Sequence, residues 1–469
     1  MTAGEAADRV AGLSGSQRPG GRHVVTAGEA ADRVAGLSGG RRELMTRLLA
    51  RKAAATAIPV LPRTGAPMEC SHEQRRIWLA GQATPGAAPP NVTLGLAVTG
   101  ELDLTRLSAA LSALVARHEA LRTRLTAIDG LPRQVIRPAQ PVPLELVDLT
   151  CLPDEEREPE ALTLAASAAG ERFDLARGPV LRLSVYRVGP LEHRLFLVCP
   201  HIACDGGSVA LVAADLAALY SGADLPPPPS PQYADYAAWS LGRAGERVPE
   251  RLPYWRERLA GIEPVFPRIP HSGGKASAVA RIGRDVLDDL RGDGPATPFA
   301  VLLSAYLVLL HRLSGRRDLV VGTVTSGRGR RELEGVVGCF INLVPLRVSV
   351  PDGFPALLSR VREAVAGALA NEIPFDALVS GLGGHRLPGV HPTFQAAFVH
   401  RDDPAPAQDW AGLRARVWEH ELDDPGFDLG LTATPRGREY ELALTGRSAR
   451  FTAADLDGFG RTLIEVLRL

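Results

Sequence analysis

One histidine in this chain stands where chemistry could be done. His201 follows Leu195-Phe196-Leu197-Val198-Cys199-Pro200 and precedes Ile202-Ala203-Cys204-Asp205-Gly206-Gly207-Ser208. The apolar run predicts a buried strand, and the polar turn after it leads into residues 209–220, whose apolar spacing is helical. Ser208 is placed to cap that helix. A histidine at the end of a strand is held rigidly but open to a partner. Its ordinary pKa near neutrality suits a base or a hydrogen-bond acceptor. The pattern H-x-x-x-D-G is short and the chain has eleven histidines, so the surrounding elements must decide its meaning.

The elements that position His201 are predicted from periodicity. Ser71 can cap a helix that Gln74, three residues later, completes as a capping box. A strand follows at 92–98, an amphipathic helix at 104–118 with apolar residues at 104, 107, 111, 114 and 115, and a strand at 121–125. The alternating run 180–186 and the His201 strand complete a sheet with helices on a face. Leu225-Pro226-Pro227-Pro228-Pro229-Ser230-Pro231 then breaks all regular structure and is expected to link two lobes. Beyond it, 233–239 and 254–259 are helical in spacing, and 299–310 is apolar almost all round, the pattern of a core helix. Residues 318–325 predict a β-branched strand. The basic run Ser326-Gly327-Arg328-Gly329-Arg330-Arg331 matches no phosphate-loop fingerprint and reads as a solvated turn. Residues 336–347 predict a buried strand whose polar members, Asn342 and Arg347, need partners.

Composition bounds what this apparatus can act on. With 469 residues the chain is long enough for two or three domains, and its 53 basic residues balance 53 acidic ones. No net field draws it to nucleic acid or to an anionic membrane. Its five cysteines (Cys70, Cys151, Cys199, Cys204, Cys339) include no C-x-x-C pair, which argues against a disulfide framework and a zinc site and for the cytoplasm. No apolar run is of membrane-spanning length. At the start, residues 2–15 recur word for word at 26–39, so 1–57 are expected to be a disordered leader. The expected organisation is 58–224 as a first lobe carrying His201, 225–232 as the linker and 233–469 as a second lobe.

Seven stretches now stand in order: 71–79, 117–123, 195–208, 233–239, 337–347, Ile373-Pro374-Phe375 and Pro392-Thr393-Phe394-Gln395. Together they resemble the condensation domains of nonribosomal peptide synthesis, from about residue 60 to the C-terminus. The resemblance implies an α/β fold of the chloramphenicol-acetyltransferase type, two lobes in a V with an active-site tunnel between them. It implies that His201 activates or orients an attacking amine or hydroxyl. Asp205 would pair with Arg347 as a structural ion pair, and the Gly206 backbone amide would face the oxyanion. Cys204, Gly207, Ser208, Ser326, Asn342 and Gln395 would line the tunnel. No metal and no bound cofactor is implied, because the acyl group would arrive on the phosphopantetheine of a separate carrier protein, to be passed to a carrier-bound or soluble acceptor as an amide or an ester.

Three departures qualify the resemblance. Pro200 stands where the family has a first histidine, Cys204 where serine is common and Gly207 where tryptophan is common. Pro200 should stiffen the approach to His201, and Gly207 should leave room for a larger substrate. Cys204 has no evident base and reads as a small pocket residue. The altered motif also suits a second class of function, a non-catalytic platform that recruits a carrier protein or a tailoring enzyme. Retention of His201, Asp205 and Arg347 favours the enzyme. Epimerisation would need a second acid or base, which the sequence alone does not identify.

Overall fold

The computed structural model describes residues 57–83, 90–266, 274–291, 296–383, 393–401, 408–418 and 427–468. The duplicated leader, apart from residue 57, lies outside them. In the first half the order is β1 (Met68–Glu69), α1 (His72–Ala83), β2 (Asn91–Thr99), α2 (Leu104–Arg117), β3 (Thr123–Ile128), β4 (Leu131–Ile136), β5 (Leu144–Asp148), α3 (Asp154–Gly170), β6 (Arg182–Gly189), β7 (Glu192–Pro200) and α4 (Gly206–Ser221). The second half runs α5 (Tyr233–Arg258), β8 (Lys275–Gly283), α6 (Arg284–Arg291), α7 (Pro298–Ser314), β9 (Asp318–Thr325), β10 (Asn342–Ser349), α8 (Phe354–Ala370), α9 (Phe375–Gly381), β11 (Ala396–His400), β12 (Gln408–Trp410), β13 (Leu413–Val417), β14 (Leu429–Arg436), β15 (Glu439–Arg447) and α10 (Ala453–Arg468).

Two six-stranded sheets organise these elements, in the orders β12-β13-β2-β7-β6-β5 and β10-β9-β11-β14-β15-β8, with a small β1-β4-β3 sheet beside the first. Each large sheet has its own apolar core. In the first, α2 and α4 lay Leu107, Leu111, Leu114, Val212 and Leu216 against Val98, Val185 and Leu197. In the second, α7 is buried almost all round, with Val301, Leu303, Tyr306, Leu307 and Leu310 fully enclosed. Removing such side chains from water is worth roughly 1.5–3 kcal/mol each, which is why the expected helix at 299–310 is realised with a turn to spare at its C-terminal end.

The first sheet is not made by the first half alone. Residues 408–417 cross back and add β12 and β13 to its edge, pairing Ala415 with Val98 and Val417 with Leu96. Trp410 is fully buried there. Trp418, just beyond β13, packs edge-on against Tyr186 and Phe196 and donates its indole N–H to Glu158 at 2.6 Å. No expected element anticipated this return.

Several boundaries differ from the sequence reading for local reasons. Residues 119–122 form a single 3-10 turn before β3 begins at Thr123. The two expected helices at 233–239 and 254–259 are one 26-residue helix, α5, which runs through Pro249 and Pro253. The strand expected at 336–347 starts only at Asn342. The residues before it form an irregular loop that approaches the His201 turn.

Candidate functional site

His201 sits just past the last residue of β7. Pro200 ends that strand opposite Asn91, where its missing N–H costs no ladder bond in the sheet interior. The chain then turns tightly, with Ala203 N–H donating to the Pro200 carbonyl at 2.8 Å. His201 is anchored by its own N–H, which donates to the Pro90 carbonyl at 2.8 Å. Gln74 of α1 donates to the next carbonyl, that of Ile202, at 3.3 Å. The imidazole Nδ1 lies 3.8 Å from Cys339 Sγ. Burial is the main cause that holds the His201 pKa below its ordinary value. A hydrogen bond to its own backbone and the Asp205 charge oppose this, and the Arg76 charge adds to it. The ring is therefore neutral at physiological pH.

The Asp205 side chain is completely buried and is the N-cap of α4, upstream of the expected cap at Ser208. It accepts from Ser208 N–H at 2.8 Å and from Phe340 N–H at 2.9 Å. Its cation is Arg328, whose Nη1 lies 2.7 Å away. Arg347 is elsewhere. It pairs with Asp318 at 2.6 Å and donates to the carbonyls of Arg258 and Ala260. The expected Asp205–Arg347 pair is therefore corrected to Asp205–Arg328. The reason is geometric: Arg347 is in register with Val320 on the β10–β9 pair, whereas the loop after β9 brings Arg328 onto the motif. The expected solvated turn at 326–331 is in this respect a tether.

The same knot corrects two expected tunnel residues. Ser208 is fully buried, with its hydroxyl 2.8 Å from Asp205 Oδ1 and from the Gly338 carbonyl. That hydroxyl also accepts from Arg328 Nη2 at 2.7 Å and from Gly338 N–H at 2.9 Å, leaving it nothing to offer a substrate. Cys204 is fully buried in the first core. A hydrogen bond with Cys199, burial and the nearby Asp205 charge hold its thiol well above the ordinary range, so it is no nucleophile. Gly206 and Gly207, by contrast, are exposed in the first turn of α4. A Cβ on Gly207 would come within 3.0 Å of Arg328 Nη1, so the space expected there is bounded by that guanidinium.

The remaining expected residues divide. Ser326 is exposed. Asn342 is saturated by protein, donating to Glu372 Oε1 at 3.1 Å and to the Ile373 carbonyl at 2.9 Å while accepting from Phe375 N–H at 3.0 Å. Gln395 holds the Phe266 N–H at 2.9 Å. Both act in packing. A cleft of about 440 Å³ between Tyr254, Arg360 and Gly367 contains none of the expected site residues.

What the sequence reading missed is the contribution of α1 and α5. A relay of hydrogen bonds runs from Gln74 N–H to Ser71 Oγ (3.2 Å), from Ser71 to Tyr233 Oη (2.8 Å), and from Tyr233 O–H to the Cys339 carbonyl (2.5 Å). It fixes the cysteine that touches His201. Gly338 is required beside it, because a Cβ there would lie 1.9 Å from the Tyr233 ring. Arg76 on the same helix makes no hydrogen bond or ion pair among the described residues, and its charge reaches both His201 and Cys339. Glu73 is only 8% exposed, and its Oε2 has no hydrogen-bond partner there. Burial pushes the Glu73 carboxyl up to about 7, against opposing contributions from its own backbone and Ser71.

The Glu73 shift has a sign that can be checked. Its folded value lies above that of an unfolded glutamate, roughly 4.3. Stability from its neutral form is complete below that value and is lost as pH rises toward about 7. Glu73→Gln should therefore gain stability relative to the native chain as pH rises from about 4.5 to 7.5, by at most on the order of 3 kcal/mol. Thermal melts at several pH values test this, and a pH-independent difference would contradict the assignment.

Two helix-backed sheets with a histidine at a strand end beside the cap of α4 form a fold of the chloramphenicol-acetyltransferase type. A family model for the condensation domain matches residues 67–468, and the chain belongs to the condensation-domain family of nonribosomal peptide synthesis. It is 36% identical over 447 residues to phosphinothricin tripeptide synthetase PhsC of Streptomyces viridochromogenes, a match covering 91% of this chain and 41% of that protein. It is 32% identical over 404 residues to chondramide synthase cmdD of Chondromyces crocatus, covering 82% of this chain and 10% of the relative. The chain thus spans less than half the length of these curated relatives. Among solved structures, the X-domain in complex with OxyB from teicoplanin biosynthesis superposes with a TM-score of 0.77 at 27% identity, over 88% of this chain and 94% of that one. SgcC5 of Streptomyces globisporus does so at 0.72 and 26%, over 85% and 98%.

Proposed function

We propose that this chain is a condensation-type acyltransferase that takes an acyl or aminoacyl group from the phosphopantetheine thioester of a carrier protein, acting in trans, and transfers it to an amine or hydroxyl in the biosynthesis of a peptide natural product. The observation that carries this reading is His201, whose imidazole is kept neutral by burial and meets Cys339 through Nδ1, while Pro90 holds its backbone N–H and Gln74 holds the next carbonyl, that of Ile202. In the tautomer that carries its proton on Nδ1, toward the Cys339 sulfur, Nε2 keeps its lone pair for the acceptor's proton. The amides of Gly206 and Gly207, two exposed residues at the positive end of the 16-residue helix α4, suit the developing oxyanion. Neither role requires a resident cofactor. The site fits a cytoplasmic enzyme whose cysteines stay reduced, and all five are free.

Remote binding energy can orient a reacting bond, so acyl-carrier thioesters are expected to be far better donors than the same acyl group on coenzyme A. The test incubates the protein with acyl-loaded carriers and candidate amines and alcohols and follows loss of the acyl group from the intact carrier by mass. Equal rates with coenzyme A thioesters would overturn the carrier assignment. The X-domain likeness favours one second reading, a platform that binds a tailoring enzyme. Absence of transfer in every pairing, together with tight binding of an oxygenase, would establish that reading instead.

A further inference from the structure

Glu73 has no part in the mechanism above, yet its surroundings are those of a ligand group. Burying a carboxyl without a partner is costly, and this one leaves Oε2 unpaired although it is 8% exposed. Tyr233, bonded to Ser71 at 2.8 Å, brings α5 against α1, and its ring lies 5.7 Å from that of Tyr236, which packs on Phe340 with centroids 4.6 Å apart and whose hydroxyl makes no hydrogen bond among the described residues. Two carboxyl groups act on that hydroxyl: Glu73, and Glu372 after α8. Glu372 is fixed through Oε1 by Asn342 and Thr325. The Glu73 charge also reaches Cys339, the residue in contact with His201.

The other charges on these elements are mostly committed. His72 pairs with Asp376 of α9 at 2.8 Å, Arg75 and Arg133 of β4 pair with Glu69, and Arg328 pairs with Asp205. Tyr233 is spent on the relay to the Cys339 carbonyl. Arg76 makes no hydrogen bond or ion pair among the described residues, and it acts on the His201 side.

We propose that Glu73, Tyr236 and Glu372 form an acceptor subsite that binds the ammonium group of an amine substrate beside His201, with Glu73 receiving its first proton. This rests on the acyltransferase reading. The ammonium gives one proton to the Glu73 carboxylate, and the free amine attacks the thioester carbon. As the new C–N bond forms and the C–S bond breaks, the second nitrogen proton passes through His201 to the departing thiolate. A hydroxyl acceptor has no cationic form and gains nothing from the subsite.

Two measurements test the proposal. In the first, transfer is compared for L-alanyl-N-acetylcysteamine thioester and its L-lactyl counterpart as acceptors. Glu73→Gln should raise the KM for the alanyl acceptor roughly 10- to 100-fold, the range for one lost hydrogen bond to a charged group, and leave the lactyl KM within about twofold. Glu73→Asp should restore part of the loss, and the native pH dependence of the alanyl KM should vanish in Glu73→Gln. Equal effects on both acceptors, with native transfer intact, would overturn the subsite and leave the acyltransferase reading standing. In the second, the carboxyl carbon of Glu73 is titrated by NMR in the native protein. Saturation with the alanyl compound should move its titration to lower pH, and the lactyl compound should not move it. This result decides the assignment even if no acyl transfer is found, and identical titrations with both compounds would sink it.

Discussion

Asp205→Ala and Arg328→Ala should each cost about 3–5 kcal/mol of folding stability, the scale for removing one member of a buried ion pair. Asp205 is fully enclosed, and the Arg328 side chain is 11% exposed. Loss of the aspartate also leaves the N–H groups of Ser208 and Phe340 without an acceptor. Loss of the arginine leaves a buried carboxylate with no cation and takes a donor from the Ser208 hydroxyl. Arg347→Ala is the control. Its partner Asp318 is 52% exposed, and surface pairs of that kind are worth roughly 0–1 kcal/mol. Denaturant melts of the three single variants and the Asp205→Ala/Arg328→Ala double variant separate the cases. The double variant should fall well short of the sum of its singles. A larger loss in Arg347→Ala than in Arg328→Ala would overturn the pairing seen here.

His201→Ala should lower acyl transfer by about two to four orders of magnitude, the usual contribution of a positioned proton-transfer group, with little change in stability. The acid limb of the native pH–rate profile should lie below the ordinary imidazole range of roughly 6.5, because burial disfavours the charged ring. Arg76→Ala should move that limb toward higher pH, since the arginine charge also disfavours the imidazolium. Steady-state rates over pH 5–8 report both effects. Transfer at native rates by His201→Ala would remove the histidine from the mechanism.

The elements that announce themselves by period were legible in the residues. The strand 318–325 is realised residue for residue as β9, and the box of Ser71 and Gln74 caps α1 through both of its reciprocal hydrogen bonds. His201 stands at the strand end that its apolar lead predicts. What could not be read were contacts between segments far apart in the chain. Two arginines, 328 and 347, follow the same strand, and only the fold decides that one crosses to Asp205 while the other stays on its sheet. Glu73 falls in the first turn of a helix, where an acidic residue is ordinary for dipole reasons, so its burial against α5 left no mark in the sequence. Leu413–Val417 alternates apolar and charged residues over five positions, too short a run to say which sheet it would join.

That last strand bears on how such chains could be recombined. The proline run at 225–232 looks like a natural joint at which to splice the front of one condensation domain to the back of another. A splice there would import a foreign edge strand into the recipient's first sheet, since β13 must match residues 96–99 in register. It would also import Trp410 and Trp418, which fill cores belonging to the front half. The two halves are therefore co-adapted through a graft that bypasses the joint. The smallest unit that carries its complementary surfaces with it includes both halves.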